Sequence, residues 1–300
     1  MVYQIFSHPK YSRCLFFIFL FISILLNTFI LENQSNFYIL YIFCAIFLGI
    51  GYYNSPKWQI FLLTFAVVVC RYFLIPDSSA NYFTFFTYLL TYLLITFISV
   101  GLMANAQRVT QENVELTKAL SNALDSRDTF TLHHSENVAK YAVKIAERMN
   151  LSPSLCKIIH IGGLLHDIGK IGIPEHILFK PGRLTEDEYQ LIKTHPIIGY
   201  EMIKHVKRYE STGILDIVLY HHERYDGKGY PRGLKDENIP LVARIIAVAD
   251  TYDAMSSKRV YRDAIELEDI LMEIERNKGK QFDPVIVDAF LSLFEKKEEV

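Results

Sequence analysis

Ten histidines stand in this 300-residue chain, and they divide by what surrounds them. His134, the pair His166-Asp167, His195, the pair His221-His222 and Asp250 sit at the ends of apolar helical stretches or at sharp breaks in them. Asp250 follows Ile245-Ile246-Ala247-Val248-Ala249, where an unpaired carboxylate is costly to bury, so it needs a cation. His166-Asp167 follows Leu164-Leu165 and precedes a glycine-containing turn. Two adjacent side chains roughly 100° apart on a helix can converge on ions just past its end. Five imidazoles and two carboxylates form a nitrogen and oxygen donor set that suits Fe, Mn, Zn or Ni. Two ions ~3.5–4 Å apart can activate water and clamp the oxygens of an in-line phosphoryl displacement. A lone histidine on an apolar face is usually a satisfied core residue; this many donor groups at helix breaks reverse that reading and point to metal-assisted hydrolysis.

The segments that must position these groups read as helices. Val138, Tyr141, Ala142, Ile145 and Met149 recur at helical spacing in Ser135 to Met149. Ser152-Pro153 offers an N-cap and an N1 proline, and Thr185-Glu186-Asp187-Glu188 a capping box. Leu241 to Met255 and Asp283-Pro284 to Phe294 continue the pattern, with Asp283 as a cap. No convincing run of alternating strands is present, so the fold class is all-α.

Charge separates this helical half from what precedes it. The chain carries 31 basic and 33 acidic residues. Met1 to Asn105 holds only Lys10, Arg13, Lys57 and Arg71 against Glu32 and Asp77, in a stretch dominated by Phe, Leu, Ile and Tyr. That is a membrane composition. The remainder is slightly acidic and offers no basic field for long nucleic acid. Cys14, Cys44, Cys70 and Cys156 form no C-x-x-C pair and read as small apolar residues.

Four apolar segments, 14–31, 37–53, 58–75 and 82–104, are each on the order of a span. Arg71 makes the third the weakest, although a long side chain near a span's end can snorkel. The first segment lacks an A-x-A-like cleavage site and three more follow, which disfavours a removable signal peptide. Lys10, Arg13, Lys57 and Arg108 flank the segments on one side, whereas the loop around Glu32 to Gln34 has no base. The positive-inside rule then places both termini in the cytoplasm, which an even number of spans requires. Whether this half is an anchor or a sensor stays open. A linking helix over 105–124 carries a short heptad, with Ala106, Asn113 and Leu120 at a and Val109, Leu116 and Ala123 at d, the pattern of a parallel homodimer through 106–123.

The helical half resembles the HD-GYP domain, a subgroup of the HD phosphohydrolases, over residues 119–294. The resemblance is carried by HDIGKIGIP at His166 to Pro174, KTHPIIG at Lys193 to Gly199, HHERYDGKGYP at His221 to Pro231, IIAVADTYDAMSSKRVYR at Ile245 to Arg262, and QFDP at Gln281 to Pro284. It implies a bacterial enzyme that hydrolyses cyclic di-GMP to linear pGpG, with further cleavage to GMP left open; with the apolar spans, the expected place is the inner membrane. One metal would be held by His134, His166, Asp167 and Asp250, and the second by Asp167, His195, His221 and His222. Fe or Mn stands ahead of Zn or Ni. By the same resemblance Asp167 and Lys170 are the catalytic pair, Lys170 over the scissile phosphate. Arg259 and Arg262 would hold phosphate and guanine, and Gly229, Tyr230 and Pro231 would close the loop beside the site. Bland roles compete: Lys170 as a helix-end cation, the two arginines as solvated charges, the glycines as a turn.

His133 stands where the family often has glycine and is left out of the ligand set, as are His8, His160, His176 and His205. Trinuclear members of the family add a Glu four positions before the first ligand histidine; Phe130 stands there, so two ions are predicted. A catalytically silent nucleotide receptor or scaffold, and a phosphodiesterase for another cyclic dinucleotide such as cyclic GMP-AMP, are the competing functions.

Overall fold

A computed structural model describes residues 9–30, 38–75, 81–126, 133–257 and 266–295, with the side chains of 29 and 30 excepted. The chain divides into two compact units, 1–112 and 113–300. Among the described residues there is no β-strand, and the fold is all-α.

The first unit contains α1 (Pro9–Leu25, continued by a π-helical turn Leu26–Ile30), α2 (Ile39–Gly51), α3 (Lys57–Leu74) and the start of α4 (Tyr82–Asp125). Phe16, Tyr41, Cys44, Leu48, Ile60, Val67, Val68 and Tyr92 form its core. Around that core many large apolar side chains face outward, among them Phe21, Leu62, Phe83, Leu90 and Leu94. Among the described residues three helices are long and apolar enough to cross a membrane: Pro9–Thr28, Lys57–Leu74 and Tyr82–Asp125. Helix α2, in the second predicted segment, has 13 residues, which at 1.5 Å each is shorter than a ~30 Å hydrocarbon core. Arg71 is accommodated by aromatic faces, its guanidinium carbon 3.7 Å from the Tyr88 ring centre. The loop at Glu32 to Gln34 lies outside the described residues.

The fourth apolar segment and the expected linking helix are one continuous helix. Helix α4 runs 44 residues from Tyr82 to Asp125. Asn81 caps its start by accepting from the Thr84 N–H at 2.9 Å. Composition changes along it, but no proline interrupts Ala106 to Asp125, so nothing stops helix propagation there.

The second unit is built from α5 (His134–Arg148), α6 (Pro153–Leu165), α7 (Glu175–Leu178), α8 (Glu186–Ile192), α9 (His195–Ile203), α10 (Lys207–Glu210), α11 (Ile214–Tyr220), α12 (Leu241–Ser256), α13 (Leu267–Arg276) and α14 (Pro284–Leu291). Short 3-10 turns follow α6 (Ile168–Gly172) and precede α12 (Asp236–Asn238). The caps read from the sequence are formed: Ser152 on α6, the reciprocal Thr185–Glu188 box on α8, and Asp283 on α14. The main core joins α5, α6, α12, α13 and α14 through Val138, Ile145, Ile159, Ile246, Val248, Ile274 and Phe290. A smaller one joins Leu165, Ile168, Ile203, Ile214 and Val218.

Candidate metal centre

Each predicted donor is delivered by a helix end or a helix face. His134 opens α5, His166 and Asp167 lie between α6 and the 3-10 turn, His195 opens α9, and His221-His222 follow α11. Asp250 corrects the expectation that all the donors lie at helix ends or breaks. It belongs to the body of α12, which continues to Ser256, and reaches the site from the helix face because the apolar run before it packs on the other side. Close backbone approach is needed at Gly169: a Cβ there would lie 1.9 Å from the His195 carbonyl oxygen, so only glycine lets the turn after Asp167 meet the start of α9.

Two donor groups result, Asp167 with His195, His221 and His222, and His134 with His166 and Asp250. Asp167 faces both. Its Oδ2 lies 3.2 Å from His166 Nε2 and 3.8 Å from His134 Nε2, while Oδ1 lies 3.2 Å from His195 Nε2 and 3.9 Å from His221 Nε2. Asp250 Oδ1 lies 3.3 Å from His134 Nε2 and 4.0 Å from His166 Nε2. His134, His166, Asp167, His195 and His221 are buried, whereas His222 and Asp250 are partly exposed and mark the open side.

The donor chemistry fits metal. Nδ1 of His166, His195 and His221 is tied to the carbonyls of Gly163 (2.8 Å), Ile192 (2.8 Å) and Val218 (3.0 Å), and Nδ1 of His134 to Asp253 Oδ2 (2.7 Å). Carbonyls only accept, so these rings donate from Nδ1 and turn the lone pair of Nε2 toward the centre. His195 Nε2 then faces His221 Nε2 at 3.3 Å, and both face a carboxylate. Acceptors facing acceptors repel unless a cation lies between them. Consistently, His166 Nε2 and Asp167 Oδ1 are buried with no hydrogen-bond partner, an arrangement that costs about 1–3 kcal/mol per group when nothing compensates it.

Electrostatics follow the same division. Burial and the neighbouring His195 hold His222 down to about 3, and burial with His222 beside it holds His221 well below the usual imidazole range. Burial works against a charged His134 too, but hydrogen bonds to Asp250 and Asp253 outweigh it and raise the ring to about 10. Asp167 is kept ionised against burial by Lys170 and His166, and Asp250 against burial by His134. Neutral imidazoles and ionised carboxylates are the forms that ligate, so His221 and His222 stand ready, whereas His134, and His166 raised by the Asp167 charge against its burial, must give up a proton to do so.

Lys170 places Nζ 2.6 Å from Asp167 Oδ2 at the open side. Gly229, Tyr230 and Pro231 lie in the loop after His222. A Cβ at Gly229 would come within 2.3 Å of the Arg224 nitrogen, so the loop folds back onto His222-Glu223 only with glycine there. Tyr230 then lies against the His222 ring, centroids 4.8 Å apart. Phe130, His8, Arg259 and Arg262 lie outside the described residues. His133 has φ 68°, a left-handed conformation, which explains why glycine suits that position. His176 and His205 are exposed and His160 is half-buried, none of them in either donor group.

Sequence reasoning missed three supporting acids. Asp253 orients His134; its signal was the i, i+3 spacing from Asp250 on one face of α12. Glu223, buried, accepts from the N–H groups of Arg232 (2.7 Å) and Leu234 (3.0 Å) and pins the Tyr230 loop. Asp125 accepts from both the N–H and the hydroxyl of Ser135, fixing the start of α5 beside His134. Neither of the last two has a local pattern that gives it away.

Comparison with known proteins adds a lineage. The HD domain profile matches residues 118–286. The cyclic di-GMP phosphodiesterase response regulator RpfG of Xanthomonas campestris is 44% identical over 191 residues, 63% of this chain and 50% of that protein. A cyclic di-GMP phosphodiesterase of Thermotoga maritima is 43% identical over 183 residues, 60% of this chain and 49% of that protein. The 3'3'-cGAMP-specific phosphodiesterase 2 of Vibrio cholerae is 36% identical over 197 residues, 66% of this chain and 37% of that protein. The chain thus spans about half the length, or less, of these curated relatives.

Proposed function

This chain belongs to the HD domain family, and from that membership we propose that residues 119–294 form a metal-dependent phosphodiesterase that opens cyclic di-GMP to linear pGpG. The observation that carries the reading is the Asp167 carboxylate, whose two oxygens face two separate groups of donors. Two divalent transition-metal ions, Fe or Mn ahead of Zn or Ni, would be held by His134, His166, Asp167 and Asp250 and by Asp167, His195, His221 and His222. When bound, they supply an acidified water and charge neutralisation at the phosphoryl oxygens.

The chain's own groups do the remaining work. Lys170 stabilises the negative charge that develops on the phosphoryl oxygens. Asp253 and the three carbonyls hold the imidazoles in one tautomer and one orientation. Tyr230 walls the His222 side and, with Gly229 and Pro231, shapes the loop over the substrate. Arg259 and Arg262 take substrate phosphate and guanine through their planar forks.

Relatives named for cyclic di-GMP and for 3'3'-cGAMP support a second reading, in which the hydrolysis is the same and the base differs. Incubating the purified full chain in detergent with each nucleotide, Mn or Fe and a reductant separates the two. Turnover of cyclic di-GMP that falls at least about 10³-fold in Asp167→Ala is the expected result. Preference for cyclic GMP-AMP would move the assignment to that substrate. Binding without turnover, unchanged by Asp167→Ala, would leave a nucleotide receptor.

The same proposal places residues 1–104 in the bacterial inner membrane with both termini cytoplasmic, α2 counted as the short fourth span. It assigns 105–124 to a signalling helix that pairs with a second copy. In support, Val109, Leu116 and Leu120 are apolar and exposed at 45%, 68% and 47%. Sedimentation of the solubilised chain at a single monomeric mass would refute the pairing.

A further inference from the structure

Half-buried lysines in the described residues nearly all touch a carboxylate. Lys170 meets Asp167 and Lys180 meets Glu188, each at 2.6 Å; Lys204 pairs with Glu201 and Lys278 with Asp288. Lys193 is the exception among them. It ends α8, two residues before His195, and its Nζ lies 4.7 Å from the Tyr189 ring centre and 5.5 Å from that of Tyr230. Tyr230 in turn lies on His222. Two aromatic faces hold the ammonium in place, yet they accept none of its three N–H donors in the way an anion does. Tyr189 is 43% exposed, so this cage opens outward, next to the partly exposed His222.

We infer that Lys193, caged by Tyr189 and Tyr230, is a subsite for the non-scissile phosphate of a substrate with two phosphodiesters. The inference rests on the phosphodiesterase reading and deepens it. While one phosphate lies over the donor groups, the other is carried one nucleoside away. Lys193 stands one aromatic ring away from His222, beside the metal-type donors without being one of them. A lysine suits this place because a compact ammonium accepts a phosphate from several directions. Its contribution is to affinity and to the choice of cyclic dinucleotides over esters with a single phosphate.

The test compares the wild-type full chain with Lys193→Met and Lys193→Arg on cyclic di-GMP and on bis(p-nitrophenyl) phosphate, which has one phosphate. Lys193→Met is expected to raise KM for cyclic di-GMP about 10- to 100-fold, the loss of one charge-assisted contact, with kcat held within about twofold. Bis(p-nitrophenyl) phosphate kinetics and metal content stay as in wild type, and Lys193→Arg recovers most of the affinity. Equal losses on both substrates, or no loss on either, would overturn the subsite. Equilibrium binding of cyclic di-GMP in the Asp167→Ala background provides a second arm that needs no turnover: affinity there must also fall with Lys193→Met. If the wild type binds cyclic di-GMP without cleaving it, the hydrolytic reading fails while this arm still decides the subsite.

Discussion

The two units of this chain treat buried polar groups in opposite ways. In the N-terminal unit most of them bond within their own helix: Ser23 donates to the Phe19 carbonyl at 2.6 Å, Thr64 to Ile60 at 2.8 Å and Ser99 to Ile95 at 2.9 Å. Asn27 does both, donating to the Ser23 carbonyl at 2.9 Å and across to the Tyr41 hydroxyl at 3.2 Å. In the second unit the bonds span the sequence: His134 to Asp253, Arg224 to Gln281, Arg244 to Asp283. A group satisfied one turn back asks nothing of tertiary structure, which suits helices surrounded by apolar side chains where water is scarce. A group satisfied a hundred residues away is useful only if the whole fold is correct. The second unit also gathers seven of its buried or half-buried polar groups into one cluster of donors, as a reactive site requires.

That contrast can be broken by substitution. The largest effect is expected from Gly169→Ala, which forces a methyl against the His195 carbonyl and the Gly199 nitrogen. Thermal unfolding of the solubilised full chain should show a loss of about 3 kcal/mol; an unchanged Tm would mean that the turn after Asp167 is looser than the distances require. Asp253→Ala comes next. It leaves the helices in place but frees the His134 ring, and chelator competition should report metal affinity ~10–100-fold weaker. Unaltered affinity would deny Asp253 its orienting part. Thr64→Val should be the mildest, within about 1 kcal/mol by the same unfolding assay, because its main bond is a return to its own helix. A larger loss would show that the 3.4 Å approach of Thr64 to Thr96 matters, and that the first unit depends on cross-helix bonds too.

The same contrast explains what could be read in the sequence. Caps such as Ser152 and the Thr185–Glu188 box are local, so residue types at fixed spacing announce them. The all-α class follows from apolar periodicity for the same reason. Histidine and aspartate types announced a donor set, and the structure brings all seven together, but their neighbours in sequence said nothing of how the rings are oriented. Glu223 and Asp125 were invisible because their partners lie on loops or on the next helix. One length judgement differed: the 13 residues of α2 depend on where the turns at its ends fall. The expected helix over 105–124 runs on from the fourth apolar segment without interruption.

Asp167 has a consequence beyond its reach to both donor groups. Its two oxygens are the ends of one planar carboxylate, so a single torsion sets the position of both. Any occupant on the His134 side that fixes this angle also fixes it for the His195 side, and the second arrival meets a ligand that has already lost its rotational freedom. On the two-ion reading the two halves are thermodynamically linked, and their filling should follow a cooperative rather than an independent isotherm.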